Sequence, residues 1–108
     1  MKTVFNKLVR DRIPEIIRAA GQECAIETMD EEIFHQALRA KLVEEAQEAA
    51  TATSEALVTE LADLYEVMDV LMVAHNIDRE AVLAEQRRRQ RDRGGFSQRL
   101  RLLWSGAD

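Results

Sequence analysis

The chain has 108 residues, of which 46% are apolar and 32% charged, and its formal net charge is −5. This length suits one domain, 1–108, and one proline with four glycines leaves too few turn residues for an all-β fold. The single Cys24 excludes an internal disulfide. The charges at Lys7 and Arg10 interrupt the apolar run that a signal peptide would need. No apolar run reaches the roughly 20 residues of a membrane span. We therefore expect a cytoplasmic protein without a membrane partner.

Two helices are predicted in the first half of the chain. The first covers residues 12–20 and stops at Gly21. An imperfect alternation over residues 23–29 indicates a short strand. The second helix begins after a cap at Thr28 or Asp30 and runs to about residue 52.

Two further helices are predicted in the second half. Thr53 or Ser54 caps the third, which ends near residue 75, and Asp78 caps the fourth, which ends near residue 92 before Gly94. Residues 99–104 indicate a second strand that would pair with the first. The expected fold is an all-α four-helix bundle with this small two-stranded element.

Two acidic strings, residues 44–48 and 60–63, each place carboxylates three positions apart, on one face of a helix. If the two helices pack side by side, four carboxylates converge: Glu45, Glu48, Glu60 and Asp63. Such a group repels itself unless a cation lies among the oxygens. An all-oxygen ligand set suits Mg²⁺ or Mn²⁺ better than zinc.

Glu45 is the least surface-like acid of the set. It lies at nearly the same helical angle as Leu38, within the apolar stripe of the second helix. A carboxylate there is costly unless it is paired or bound to metal. For any single acid a solvated helix face is the usual alternative, and we expect that for Glu44, Glu66 and Asp69.

Charge is unevenly distributed along the chain. Residues 30–69 hold eleven acids against two bases, a net of −9, whereas residues 77–104 hold eight arginines against four acids, a net of +4. An acidic middle suits a cation, and a basic end suits phosphates or a second acidic surface, such as another copy of the chain.

The string Glu-Glu-x-x-Glu followed by Glu-x-x-Asp resembles the all-α nucleoside triphosphate pyrophosphohydrolases of the MazG and phosphoribosyl-ATP pyrophosphohydrolase kind. Residues 6–17 (NKLVRDRIPEII) and 93–100 (RGGFSQRL) are similar to the opening and closing motifs of a small branch of house-cleaning members. The three strings in this order span nearly the whole chain.

The resemblance implies that Glu45, Glu48, Glu60 and Asp63 hold Mg²⁺. It also implies hydrolysis between the α and β phosphates of a nucleoside triphosphate, giving a monophosphate and pyrophosphate. The metal would neutralise phosphate oxygens and orient a water, and a nearby carboxylate, Glu48 or Glu44, would take its proton. Members of this kind generally assemble their sites in dimers or tetramers, so a homodimer is expected.

The main candidates for phosphate binding are Lys41, Arg89 and Arg93. The alternative for Lys41 is a salt bridge within its helix, and the alternative for the arginines is a solvated helix end. In the opening motif, Lys7, Arg10 and Arg12 could also bind phosphate or pair with acids of a partner chain, although a structural role is favoured for most of that segment. A different class of function is a helical interaction module whose basic C-terminal segment binds RNA or an acidic protein. The arginines lack interleaved aromatic residues and the chain is acidic, which disfavours nucleic acid.

Overall fold

In a computed structural model that describes residues 2–107, four helices form and no strand is present within that range. They are α1 (Ile13–Ala19), α2 (Glu31–Thr51), α3 (Leu57–Ala74) and α4 (Arg79–Arg93). The expected all-α class is confirmed. The two ends of the predicted domain, residues 1 and 108, lie outside the described residues.

The two-stranded element predicted from residues 23–29 and 99–104 is wrong, since both segments are irregular. The second segment has no buried face, because Leu100, Leu102, Leu103 and Trp104 are 80–84% exposed. A lone pair of short strands without an apolar face to cover is at best marginally stable in water. Alternation in sequence was therefore not enough to produce pairing.

Local capping chemistry sets most of the helix boundaries. Asp30 accepts a hydrogen bond from the backbone N–H of Ile33 at 2.9 Å, and Asp78 caps α4 in the same way through Glu80. Gly21 follows α1 with a φ of 81°, and its neighbour donates to the carbonyl of Ile17, which closes the helix end.

The start of α3 differs from the prediction. Thr53 accepts a hydrogen bond from the backbone N–H of Ala56 at 3.3 Å, which closes a turn before the helix instead of capping it. The helix then begins at Leu57 without a side-chain cap. Its end agrees with the prediction, because Asn76 adopts a φ of 54° after the last turn.

The chain divides into two compact units, Met1–Asn76 and Ile77–Asp108. In the first unit, α2 and α3 are joined by residues 52–56 and pack against each other as a helical hairpin. Leu38 and Val67 are the buried apolar side chains of the described core. The second unit contains α4 and the irregular residues that follow it. None of the helices described is both long and apolar enough to cross a membrane.

Candidate metal centre

Three carboxylates meet where α2 packs on α3. Glu45 comes from α2, and Glu60 and Asp63 come from successive turns of α3. One oxygen from each lies within 4.8 Å of the others, a spacing that a single cation could bridge. The two acidic strings were predicted to share one surface, and these three residues, which come from both strings, lie together.

Glu45 is the buried member of this group. It is 6% exposed and shares the inner surface of α2 with Leu38, seven residues earlier. Burial raises the pKa of Glu45 above its ordinary value, and the nearby Glu48 carboxylate raises it further. The ammonium of Lys41, 3.4 Å away, acts in the opposite direction without cancelling these effects.

Two oxygens in the group lack hydrogen-bond partners. Within residues 2–107, neither Glu45 Oε2 nor Glu60 Oε2 has a partner, although both atoms are buried. A buried carboxylate oxygen without a donor is expensive, and a cation is the partner that would offset that cost. The donor set is entirely oxygen, which fits a hard divalent ion.

Glu48 lies beside the group and not within it. Its side chain is exposed, and its carboxylate lies near that of Glu45. Glu48 lies toward the exposed side of α2, whereas Glu60 and Asp63, which have the same three-residue spacing, both remain in the group. Of the four predicted ligands, the structure thus brings three together and leaves Glu48 at the edge.

Glu44 is engaged by two lysines. It accepts hydrogen bonds from Lys7 at 3.1 Å and from Lys41 at 3.4 Å. The hydrogen bond from Lys7 is the main reason that the pKa of Glu44 lies below its ordinary value, and Lys41 lowers it further. The solvated helix face expected for Glu44 is therefore an ion-paired position.

The predicted phosphate-binding residues fall in two places. Lys41 is 17% exposed and pairs with Glu44 and Glu45, which is the intrahelical alternative weighed from the sequence. Arg89 and Arg93 are exposed on α4, in the second unit. Binding of phosphate by any of the three stays a prediction.

Two contacts with the site were not predicted. Lys7 and Arg10, which precede α1, reach Glu44 and Asp63, 37 and 53 residues away along the chain. From the sequence, these bases could bind phosphate or pair with acids of a partner chain, and a structural role was favoured for most of their segment. The signal for these contacts in the sequence was that the two basic residues lie outside any predicted helix. No local pattern predicts a pairing between residues so far apart along the chain.

Comparisons with known proteins agree with this geometry. Residues 5–90 match the family "Phosphoribosyl-ATP pyrophosphohydrolase". A curated relative, an uncharacterized protein from Mycolicibacterium smegmatis, is 50% identical over 46 residues, which are 43% of this chain and 47% of that protein. The match spans about half the length of that relative. No solved structure matches the chain.

The matched range contains α1, α2, α3 and most of α4, and therefore every member of the carboxylate group. Proteins of this family are pyrophosphohydrolases that act on nucleotide-like substrates and typically need a divalent metal. The all-α fold is consistent with this family, and the acidic group could hold such a metal. The chain belongs to the phosphoribosyl-ATP pyrophosphohydrolase family, within the MazG-like all-α pyrophosphohydrolases.

Proposed function

We propose that the protein is a Mg²⁺-dependent nucleoside triphosphate pyrophosphohydrolase with a house-cleaning role. It cleaves between the α and β phosphates and releases a monophosphate and pyrophosphate. The observation that carries the proposal is the buried, unpartnered oxygen of Glu45 beside Glu60 and Asp63. Mn²⁺ has the same preference for oxygen ligands and is expected to substitute.

In this proposal Glu45, Glu60 and Asp63 hold the metal. When bound, the ion neutralises phosphate oxygens and lowers the pKa of a bound water. The packing of α2 on α3 brings the three carboxylates together in the metal-free protein.

Glu48 is the better proton acceptor of the two candidates. It lies next to Glu45, is exposed, and makes no salt bridge with any residue in the described range. Glu44 is held by two lysines, and its lowered pKa makes it a weaker base. Glu48 therefore either accepts the proton of the attacking water or, after a rotation of its side chain, completes the metal ligands.

A homodimer is part of the proposal. On α3, an apolar stripe lies exposed at Leu57, Val58, Leu61 and Tyr65, which are 37–77% exposed. Three of these residues recur every four positions and so share one side of the helix. Apolar side chains in a row at that exposure are typical of a helix that packs on another chain.

The decisive experiment is an assay of purified protein with Mg²⁺ on a panel of substrates. The panel contains the standard nucleoside triphosphates, their oxidised and deaminated forms, and phosphoribosyl-ATP. We expect release of pyrophosphate and a nucleoside monophosphate, with no activity when the metal is chelated. Glu45→Gln should lower kcat at least about 100-fold, whereas the exposed Glu55→Gln serves as the matched control and should retain activity.

Three outcomes would contradict the proposal. Nucleoside diphosphate and phosphate as products would place the cleaved bond elsewhere. Turnover of phosphoribosyl-ATP alone would exclude the house-cleaning role. Undiminished activity without divalent metal would show that the carboxylate group does not hold a catalytic ion.

A further inference from the structure

The segment before α1 brings one cation to the carboxylate group and a second cation to Glu44 beside it. Arg10 donates a hydrogen bond to Asp63 Oδ1 at 2.8 Å, and its other terminal nitrogen lies 3.8 Å from Glu66. Lys7 donates to Glu44 at 3.1 Å. All of these residues belong to the first compact unit.

The backbone holds these two side chains against the hairpin. Asn6 takes a φ of 47°, which turns the chain just before Lys7. The carbonyl of Arg10 accepts a hydrogen bond from the N–H of Ile13 at 3.1 Å, which ties Arg10 to the first turn of α1. The two cations are therefore fixed at one end by the backbone and at the other by acids of the site.

These ion pairs are readily exchanged. The side chains of Lys7 and Arg10 are 42% and 56% exposed, and such pairs contribute at most about 1 kcal/mol to folding. A divalent ion bound by Asp63 competes with Arg10 for the same carboxylate. A guanidinium released at this position faces the site with a planar set of donors that matches phosphate oxygens.

Lys41, by contrast, is poorly placed to bind phosphate. It is 17% exposed and holds two acids of its own helix. Among the described residues of the first unit, the exposed cations that contact the acids of the site are Lys7 and Arg10. A metal-bound triphosphate carries excess negative charge that the acids cannot balance, and these two side chains can.

We propose that Lys7 and Arg10 form a phosphate clamp that exchanges partners, holding Glu44 and Asp63 in the metal-free protein and the β and γ phosphates of the substrate in the loaded one. This inference rests on the proposed function. It predicts that removal of Arg10 has opposite effects on two ligands: the metal alone binds more tightly, because a competing cation is gone, and the polyphosphate binds more weakly.

The test measures binding by calorimetry with two probes, Mn²⁺ alone and inorganic tripolyphosphate at saturating Mn²⁺. For Arg10→Gln we expect Mn²⁺ to bind about threefold more tightly and tripolyphosphate about tenfold more weakly. Arg10→Lys keeps the charge, so its Mn²⁺ affinity should be unchanged and its tripolyphosphate affinity about threefold lower. Lys7→Gln should also weaken tripolyphosphate binding, but its Mn²⁺ affinity should stay within about twofold, because its partner Glu44 is not one of the three metal ligands.

Arg12→Gln is the matched control, because it removes the same charge from the same segment but its partner is Glu15 on α1. It should leave both affinities within about twofold. Equal effects of the two substitutions, or an unchanged tripolyphosphate affinity in Arg10→Gln and Arg10→Lys, would overturn the clamp alone. Failure of the folded wild-type protein to bind Mn²⁺ would overturn the proposed function and the clamp with it.

Discussion

Glu45 is a buried acid whose charge works against folding until a cation arrives. Burial and the adjacent Glu48 raise its pKa, so the folded state binds the Glu45 proton more tightly than the unfolded chain does. Between its ordinary value of 4.5 and the raised value, the contribution of Glu45 to the free energy of unfolding falls as the pH rises. Metal binding needs the deprotonated form and should strengthen over the same interval.

We therefore predict opposite effects of Glu45→Gln on stability and on activity. In the metal-free protein at pH 7 the substitution should raise the free energy of unfolding by about 1 kcal/mol, because a buried charge is removed while the shape is kept. It should also abolish the increase in Tm that Mg²⁺ or Mn²⁺ gives the wild type. Denaturant titrations at several pH values measure the first effect and thermal scans the second.

Glu55→Gln, at an exposed position between α2 and α3, is the control and should change neither quantity. A metal-free Glu45→Gln protein less stable than the wild type at pH 7 would contradict the inference that Lys41 offsets only part of the cost of the buried Glu45 charge.

The sequence predicted the position of Glu45 better than that of Glu48. The angle shared by Glu45 and Leu38 depends only on helix periodicity, and both side chains are buried on α2. Glu48 differs because a side chain at the edge of an apolar stripe can turn either into the seam or into water. The contacts of Lys7 and Arg10 depend on the path of an irregular segment, and no periodic rule describes that path.

Helix boundaries were predictable wherever a single residue determines them. Asp30, Asp78 and Gly21 act through hydrogen bonds and dihedral angles within their own turns, so their effect can be read locally. The predicted strands did not form, because strand pairing depends on a partner distant in sequence and on an apolar surface for the strands to cover. Thr53 lies between these cases: its hydroxyl makes a local hydrogen bond, but the bond closes a turn that precedes α3.

Leu38 is the most deeply buried side chain of α2. Leu38 is 2% exposed, and Val67 is the corresponding buried residue of α3. We predict that Leu38→Ala lowers the free energy of unfolding by about 3 kcal/mol, because it leaves a cavity between the helices. Val43→Ala removes an apolar side chain that is 56% exposed on the same helix, and it should cost less than about 1 kcal/mol.

Urea unfolding followed by circular dichroism provides the measurement. Equal losses in the two variants would mean that the seam between α2 and α3 is not the main source of stability in this unit.

At the scale of the whole molecule, few apolar side chains are fully buried, and several on α3 are exposed. The proposed homodimer leads to a prediction for Leu61→Glu. This substitution should shift the protein to a monomer, because it would place a charge in the exposed apolar stripe of α3. Val73→Glu is the control, since Val73 is 77% exposed on the same helix but lies outside the stripe. Light scattering coupled to gel filtration should report a monomer for the first variant and a dimer for the second.

A monomeric wild-type protein would contradict the dimer, as would a dimer that Leu61→Glu leaves intact.

Single-domain organisation over residues 1–108 stays a prediction, as does the role of the basic residues on α4. Arg88 shows that some of this charge is balanced locally, because it pairs with Glu85 and Asp92.

On the proposed function, the unpartnered oxygen of Glu45 would also affect how long the protein survives in a cell. A ligand that binds the folded chain alone stabilises it by about 2.7 kcal/mol at a hundred times its Kd. On the proposed function, withdrawal of magnesium would cancel that gain and restore the cost of the buried charge. A larger fraction of the molecules would then unfold and be degraded by proteases. The abundance of the enzyme would therefore follow the supply of magnesium.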